Sequence, residues 1–478
     1  MTGELVLGVD IGTTSVKAVV LDRSGAVSAI GESDPVTTLS PEPGAAEQDP
    51  YELWAALGAA CHRAVTGLDP VDRVAAIALA AQSGSVAPVT EGAEALGPLV
   101  TWMDTRSGPL VDSWDAGIHR LIRELSGWTA APGLGLPTIA WLRQNRSAIF
   151  DRAVRFAAAD DIMAHRLTGI WATNPSNGSG LQLMDVRTQE WSDELCAVAG
   201  IEPARLSPLR PTGSILGSLT TTAASSTGLE PGTPVVVGGH DQACAALGLG
   251  VVEPGSVFLA AGTAWVLTAI TDHADPARLP ATLNLSPHVT PVRWSASTYL
   301  GGIGAMLSWW RRERDPSAPD AADVPIDMDT PFFRISLHDH HRSGWGRFEA
   351  ADHPRADPAC EVAVFEAAAL EVSTALASLA GVVPPLTTLT VVGGSTRGRR
   401  LMQILADVTG LTVRVAGETS WAAIGAGRVA ASAMGWPTDP DFGTRDHGQE
   451  IFRPDAAATA IHERRFSERR GGREGDNP

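Results

Sequence analysis

The stretch LVLGVDIGTTSVKAVVLD, Leu5–Asp22, puts an acid and two threonines on a tight turn between two apolar runs. Asp10 ends the first run, where its carboxylate oxygens can hold Mg²⁺ directly or through water. Gly12 has no side chain and lets a ligand approach the backbone, while Thr13 and Thr14 offer hydroxyl and N–H groups to phosphate oxygens. The turn is therefore a candidate phosphate and cation site, although a plain hairpin capped by Asp10 explains the same residues.

Lys17 follows this turn and is the single lysine of the chain. Alternation along the second strand predicts that Thr13, Ser15 and Lys17 share one face. The ammonium group would then approach a phosphoryl group in transit and offset its charge. The alternative is a structural role, with the stem of Lys17 packed along the sheet and the amine at its rim.

The elements that must position these residues form a meander at the start of the chain. Apolar runs at Leu5–Asp10, Ser15–Leu21 and Ala26–Glu32 predict three strands joined by turns. The apolar spacing of Tyr51–Val65 predicts a helix, and Val74–Ala80 predicts a further strand.

The second half of the chain repeats this kind of pattern. Ser256–Ile270 reads as strand, Gly-Thr turn and strand, and Leu389–Gly410 reads as strand, glycine-rich turn and helix. The two halves share a motif type but no strict sequence repeat. Two similar α/β lobes facing each other would bring both Gly-Thr turns to one cleft.

Composition limits the class of protein. The 478 residues carry a formal net charge of −18, which argues against a nucleic-acid partner. The four cysteines are scattered, so neither a zinc site nor a disulfide framework is expected. The N-terminus shows no basic-then-apolar leader, and no long apolar run occurs, so we expect a cytoplasmic protein with no membrane partner. The composition is compatible with a homodimer.

Four segments resemble, in order, the FGGY carbohydrate kinases of the actin/hexokinase/heat-shock ATPase superfamily. They are the opening turn, GGHDQACAALGLG at Gly238–Gly250, AAGTA at Ala260–Ala264 and VVGGSTRGRRLMQILADVTG at Val391–Gly410. The resemblance implies an α/β fold of two ribonuclease-H-like lobes around a central cleft, with ATP and Mg²⁺ bound there. It implies phosphoryl transfer to a hydroxyl of a small sugar, ketose or polyol.

The same resemblance divides the chain. Residues 1–245 would form the N-terminal lobe on the sugar and phosphate side, and residues 246–440 the C-terminal lobe on the ATP side. Residues 441–478 would be an extension with a frayed tail.

The resemblance also implies a catalytic base, which falls on Asp241. A positioned carboxylate can accept the proton that the acceptor hydroxyl loses, although Asp241 could instead cap a helix. His240 contacts substrate or packs. Asp160 and Asp161, in a segment that matches a family helix, are expected to be structural caps.

Two further segments are expected to face the sugar. WMDTR resembles a Trp-x-Asp-x-Arg element of the family, so Trp102 would stack on the sugar while Asp104 and Arg106 bind its hydroxyls. The alternative is a surface ion pair between Asp104 and Arg106. Gln82 and Ser83 occupy the place where xylulose kinases carry a Met-His pair, which puts xylulose itself in doubt.

On the nucleotide side, the resemblance implies that Gly262 and Thr263 meet the β- and γ-phosphates. Gly393 and Gly394 would let the adenosine lie against the backbone, and Ser395 would flank its base or ribose.

The chain departs from the family in two places. Trp265 follows the second Gly-Thr turn in place of a small residue, so an indole lies near the phosphates or beneath them. Residues 311–358 lack the usual Ser-Gly-Glu-Arg segment and form an irregular excursion. The histidines His338, His340 and His341 in it have poor spacing for a metal site.

These patterns predict an ATP-dependent carbohydrate kinase that uses Mg²⁺. The rival predictions are a non-catalytic actin-like ATPase and a degenerate member that binds sugar without transferring phosphate. The identity of the acceptor cannot be read from the sequence.

Overall fold

The computed structural model describes residues 4–69, 73–314, 321, 324–336, 344–349, 357–417, 419–438 and 449–474. His338, His340, His341 and much of the 311–358 excursion lie outside the described residues. None of the described helices is long and apolar enough to cross a membrane.

In chain order, the strands are β1 Glu4–Ile11, β2 Val16–Leu21, β3 Val27–Glu32, β4 Glu47–Gln48, β5 Arg73–Ala81, β6 Ala87–Val89, β7 Leu99–Val100, β8 Arg155–Ala157, β9 Met184–Asp185, β10 Glu190–Trp191, β11 Ile215–Ser218, β12 Pro234–His240, β13 Val257–Ala261, β14 Trp265–Thr271, β15 Asn284–Pro287, β16 Trp294–Tyr299, β17 Phe333–Ile335, β18 Gly346–Phe348, β19 Thr388–Val392, β20 Thr412–Ala416 and β21 Gln449–Phe452.

The α-helices follow the same order: α1 Pro50–Val65, α2 Gly108–Ser113, α3 Ala116–Ser126, α4 Gly135–Asn145, α5 Ser147–Arg152, α6 Ala159–Thr168, α7 Pro175–Gly180, α8 Asp193–Ala199, α9 Thr221–Thr227, α10 Asp241–Gly248, α11 Ile303–Glu313, α12 Pro358–Ser378, α13 Arg399–Thr409, α14 Trp421–Ala433 and α15 Ala456–Glu474.

The chain folds into two compact units, and neither is continuous in sequence. The first consists of residues 1–252, 271–296 and 419–446, and the second of residues 253–270, 297–418 and 447–478. The two units are defined by packing, so they do not test the lobe boundaries predicted at residues 245 and 440. Those boundaries remain a prediction.

The first unit is built on a six-stranded sheet in the order β11-β12-β5-β1-β2-β3. Strands β12, β5 and β1 run parallel, whereas β2 and β3 complete an antiparallel meander. The alternate residues Leu7 and Val9 of β1 join a buried core with Leu53 and Leu57 of α1 on one face of the sheet. The Asp49 side chain accepts from the Tyr51 N–H and caps α1.

The opposite face of β1 carries Gly8, which contacts α14. A Cβ on Gly8 would lie 1.9 Å from the Ala423 carbonyl oxygen and 2.4 Å from the Gly427 nitrogen. On the other side of α14, a Cβ on Gly425 would lie 1.8 Å from the Cys244 carbonyl oxygen of α10. Glycine is needed at these positions because backbone touches backbone.

The second unit contains the strand order β14-β13-β19-β20-β21. Strands β13, β19 and β20 run parallel. Strands β13 and β14 form an antiparallel hairpin, as β1 and β2 do in the first unit. Helix α15 is held by a buried ion cluster, in which Arg465 donates to both carboxylate oxygens of Glu366 at 3.0 and 2.8 Å. The His462 Nδ1 atom lies 2.8 Å from the same carboxylate.

Candidate active site

The predicted site residues of the first unit lie at the carboxyl ends of three neighbouring parallel strands. Ile11 of β1 and His240 of β12 both pair with Ala81 of β5. Because parallel strands end at the same edge of a sheet, Asp10, Gln82 and Asp241 come from different parts of the chain to one edge.

Asp10 is partly buried, and its surroundings oppose its charge. Burial and the nearby Asp241 carboxylate raise the pKa of Asp10 to about 7, although the Ser420 hydroxyl and the Lys17 ammonium act in the opposite direction. The Ser420 hydroxyl donates to Asp10 Oδ2 at 3.0 Å, and its oxygen accepts from the Ala423 N–H at the start of α14. Helix α14 therefore fixes the orientation of the Asp10 carboxylate.

The Asp10 and Asp241 carboxylates fit a cation that brings further ligands with it. Burial and the neighbouring Asp241 carboxylate both disfavour the charged form of Asp10, and a divalent cation between the two carboxylates would favour it. Among the described residues no group of three or more His, Cys, Asp or Glu side chains could hold a metal ion alone. This pair matches Mg²⁺, which is held in kinases by one or two carboxylates with water and substrate phosphates.

Asp241 is the first residue of α10, and its carboxylate lies 3.0 Å from His240 Nε2. The Asp241 side chain is 28% exposed, so it stays accessible to a reactant. The N-cap of α10 is His240, and no side-chain capping bond is formed there, so the capping role considered for Asp241 is not seen. Burial and the charges of Asp241 and Asp10 raise the pKa of Cys244 well above its usual range, so both carboxylates lie close to this thiol.

Thr13 stands at the centre of a hydrogen-bond network. Its hydroxyl donates to Gln82 Oε1 at 3.2 Å and accepts from Trp102 Nε1 at 3.1 Å. The Gln48 amide donates to the Thr13 carbonyl at 2.6 Å, and the Ser85 hydroxyl donates to Gln82 Oε1 at 3.1 Å. The structure therefore brings together three residues predicted from separate motifs.

The network also assigns different tasks to its members. Gln82 is only 2% exposed, and both ends of its amide are hydrogen-bonded because it also donates to Gln48 Oε1, so it supports the site from below. Trp102 remains 36% exposed and can present its ring to a ligand. Ser83 donates to the Asn177 carbonyl of α7 at 3.0 Å.

Asp104 and Arg106 are paired with each other and with further acids. Arg106 lies 2.8 Å from Asp104 and 2.6 Å from both Glu42 and Glu47, and its side chain is 7% exposed. Asp104 Oδ2 also accepts from the Ala46 N–H. The ion-pair alternative describes this geometry, but the pair is buried and holds the loop that presents Trp102.

Lys17 and Thr13 occupy different surroundings. Strand β2 begins at Val16, so Thr13 and Ser15 belong to the turn and the alternation predicted for the strand does not reach them. The Lys17 ammonium lies 3.6 Å from Glu32 on β3, at the exposed side of the sheet. Thr14 is exposed, and its carbonyl accepts from the Val36 N–H.

The predicted nucleotide residues of the second unit also meet at a strand edge. β13 and β19 are parallel neighbours, followed by the turn Gly262–Thr263 and by Gly393. Gly393 has a φ of +105°, and a Cβ on it would lie 2.7 Å from the carbonyl carbon of Ala261 and 3.0 Å from the Gly262 nitrogen. Only glycine permits this close approach of the two turns.

The neighbouring residues leave backbone accessible. Gly394 opens a 3-10 helix, Gly394–Arg397, and faces open space. Trp265 is fully buried, and its indole donates to the Ser395 hydroxyl at 3.3 Å. The indole therefore lies beneath the turn, which is one of the two positions predicted for it.

Asp160 and Asp161 act inside the first unit. Asp161 caps α6 by accepting from the Ala158 N–H at 3.2 Å, whereas Asp160 accepts from the Thr173 hydroxyl and the Asn174 amide. Burial raises the pKa of both carboxyl groups. The capping role expected for both residues is seen only for Asp161.

Sequence reasoning missed Gln48, Ser85 and Ser420. Ser420 precedes a helical run and could have been identified as an N-cap, but its bond to Asp10 joins residues 410 positions apart. Gln48 and Ser85 carry no local signal, because their partners are set by the sheet and by the loop that holds Trp102.

Fold and site define a two-unit α/β protein of the ribonuclease-H-like, actin/hexokinase type. The model of the N-terminal domain of the FGGY family of carbohydrate kinases matches residues 5–248, and that of the C-terminal domain matches residues 307–434. The chain therefore belongs to the FGGY family of carbohydrate kinases. The predictions of fold class, family and enzyme class are confirmed.

Named relatives agree with this membership. The autoinducer-2 kinase of Salmonella typhimurium is 27% identical over 480 residues, which cover 93% of this chain and 89% of that protein. The crystal structure of a xylulose kinase from Rhodospirillum rubrum matches with a TM-score of 0.87 at 26% identity, over 97% of each chain. Plasmodium falciparum glycerol kinase with ADP shares the fold, with a TM-score of 0.83 at 18% identity over 98% of this chain and 97% of that one.

Proposed function

We propose that this carbohydrate kinase transfers the γ-phosphoryl group of Mg-ATP to a hydroxyl of a small sugar, ketose or polyol, with Asp241 as the general base. The observation that carries the proposal is the partly exposed Asp241 carboxylate at the sheet edge where Asp10 also lies. Trp102 donates to the Thr13 hydroxyl in the turn that follows Asp10. A base there can accept the proton of a hydroxyl as it attacks phosphorus.

The remaining residues take supporting roles. Asp10 would hold Mg²⁺ with water and phosphate oxygens, and Mg²⁺ would offset charge on the phosphates. Trp102 and His240 would contact the acceptor, while Gln82 and Ser83 support its wall. In the second unit, Gly262, Thr263 and the backbone at Gly393–Ser395 would bind the nucleotide.

The acceptor remains the open part of the proposal. The relatives are named for autoinducer-2 and xylulose, so both belong in a test panel with pentuloses, hexuloses, gluconate, glycerol and tetritols. Acceptor-dependent ADP release by the purified protein identifies the substrate. Release that no acceptor stimulates would favour the degenerate or ATPase alternatives.

Asp241→Asn tests the assigned base. We expect the variant to fold and bind ATP while kcat falls by about 10²–10⁴, because the proton acceptor is lost. Asp272→Asn is the matched control, since Asp272 lies 3.4 Å from His273 in an exposed pair of the same residue types. Turnover of Asp241→Asn within about tenfold of the parent would contradict the role of Asp241.

A further inference from the structure

The short helix α7 lies between the two segments that carry the proposed base and the acceptor wall. Its Ser176 hydroxyl accepts from the backbone N–H of His240 at 2.9 Å, directly before Asp241. Its Asn177 carbonyl accepts from the Ser83 hydroxyl at 3.0 Å. Ser176 and Asn177 are 2% and 1% exposed, so both side chains are enclosed by the surrounding protein.

Close packing makes these contacts stiff. A Cβ on Gly239 would lie 2.9 Å from Ser176 Oγ and 2.2 Å from Val289, and a Cβ on Gly180 would lie 2.1 Å from Ser83 Oγ. The end of β12 and the turn after β5 therefore touch α7 without intervening space. A shift of α7 would move both segments.

A buried chain of hydrogen bonds fixes α7 in turn. The Ser176 hydroxyl donates to Asn174 Oδ1 at 2.6 Å. Asn174 Oδ1 also accepts from the Asn177 N–H and thereby caps the helix. The Asn174 amide donates to Asp160 Oδ2 at 3.1 Å, where the Thr173 hydroxyl also donates. The Ser176 oxygen thus has one donor and one acceptor in fixed directions, which holds the His240 N–H in a single orientation.

We propose that Ser176 is a positioning residue for phosphoryl transfer: it sets the backbone at His240, and thereby the direction of the Asp241 carboxylate, relative to the acceptor wall at Ser83. The proposal rests on the proposed function, because it assigns the base to Asp241. Displacing a reacting group by about 1 Å can cost about a hundredfold in rate. The hydroxyl of Ser176 is therefore expected to affect turnover although it touches no substrate.

Ser176→Ala tests the proposal, with Ser179→Ala as the matched control. Ser179 lies on the same helix, is fully buried, and donates only within α7, to the Ser176 carbonyl at 2.9 Å. With the best acceptor of the panel, we expect kcat of Ser176→Ala to fall by about tenfold or more. The KM for ATP should stay within about twofold of the parent, and kcat of Ser179→Ala should do the same.

The outcomes separate the two proposals. Equal kcat values for the two alanine variants would overturn the positioning role, and so would a loss of kcat that tracks their melting temperatures. A parent protein with no turnover on any acceptor would instead contradict the proposed function. If Ser176→Ala does not fold, Ser176→Cys and Ser179→Cys replace the pair, because a thiol fills the space of the hydroxyl, although it is larger, and is a weak hydrogen-bonding group.

Discussion

At the scale of single residues, we propose that Lys17 contributes its charge to catalysis and little to stability. Its ammonium lies near Asp10 and 3.6 Å from Glu32, and the two side chains of that ion pair are 41% and 54% exposed. An exposed ion pair contributes little to stability. Removing this charge should therefore separate an effect on phosphoryl transfer from an effect on stability.

Lys17→Met removes this charge and keeps the length of the side chain. We expect kcat to fall by about tenfold or more with an unchanged melting temperature, because a transition-state contact is lost. Glu32→Gln is the control, since it removes the ion pair but leaves the ammonium, and its kcat should match the parent.

The single lysine offers an independent measurement. Mg-ATP should protect Lys17 from a lysine-selective reagent. Equal labelling rates with and without nucleotide, together with retained activity of the methionine variant, would place Lys17 outside the phosphate site.

His288 provides a prediction about pH. It is 7% exposed, its Nδ1 accepts from the Thr290 N–H, and burial is the main cause that lowers its pKa to about 4. Below about pH 6.5 the unfolded chain binds a proton at His288 that the folded protein does not bind until the pH approaches 4. Protonation therefore favours the unfolded chain, and the free energy of unfolding decreases as the pH falls from 6.5 through 4.

His288→Gln should remove this contribution. The free energy of unfolding of the parent should fall by about 3 kcal/mol more than that of the variant between pH 6.5 and 4. Urea unfolding at several pH values measures the difference, with His62→Gln on the exposed side of α1 as a control. Parallel pH profiles for the parent and His288→Gln would show that His288 does not cause the loss.

At the scale of elements, the contact between β1 and α14 depends on glycine residues, which have no side chain. Gly8→Ala would place a methyl group against backbone atoms of Ala423 and Gly427 that cannot rotate away. We expect a loss of about 3 kcal/mol in unfolding free energy, since overpacking of a rigid contact forces the backbone to shift.

Gly92→Ala is the control for this change. Gly92 is exposed and has no atom within 4 Å of an added Cβ, so its free energy of unfolding should change by less than about 0.5 kcal/mol. Similar urea midpoints for Gly8→Ala and the parent would mean that α14 can move away from β1.

Elements were predictable where local chemistry sets them. The opening meander follows from apolar runs joined by turns, and α1 follows from helical periodicity. Helices α2 and α3 are separated by a local signal, because Asp115 accepts from the N–H groups of Gly117 and Ile118 and starts α3. A cap inside an otherwise periodic stretch is easily overlooked.

The sequence predicted which residue types form the site better than it predicted the contacts between them. Asp10 and Asp241 follow from motifs, but the pairing of Arg106 with Glu42 and Glu47 joins positions 64 and 59 residues apart. Such contacts depend on how loops pack on the sheet, which no local pattern reports.

At the scale of the whole molecule, the first unit requires residues from late in the chain. Helix α14 covers Gly8, and Arg428 of that helix donates to the Leu247 carbonyl of α10 at 2.8 Å. A fragment of residues 1–252 contains the six-stranded sheet but lacks this cover.

We expect the 1–252 fragment to unfold without a cooperative transition, because one face of its central strands is exposed. Circular dichroism during urea titration measures this, and the full chain is the control. Adding a peptide of residues 419–438 should sharpen the transition. A fragment as cooperative and as stable as the full chain would show that α14 is dispensable for the first unit.

Because the first unit is discontinuous in sequence, it can complete its fold only late in synthesis on the ribosome. Ser420 is made 410 residues after the Asp10 that it bonds. At common translation rates this separation corresponds to roughly 20–80 s. During that time β1 has emerged but the helix that contacts Gly8 does not yet exist. The nascent chain therefore carries an uncovered sheet face through most of its synthesis, and we expect chaperones that bind apolar surface to contact it before translation ends.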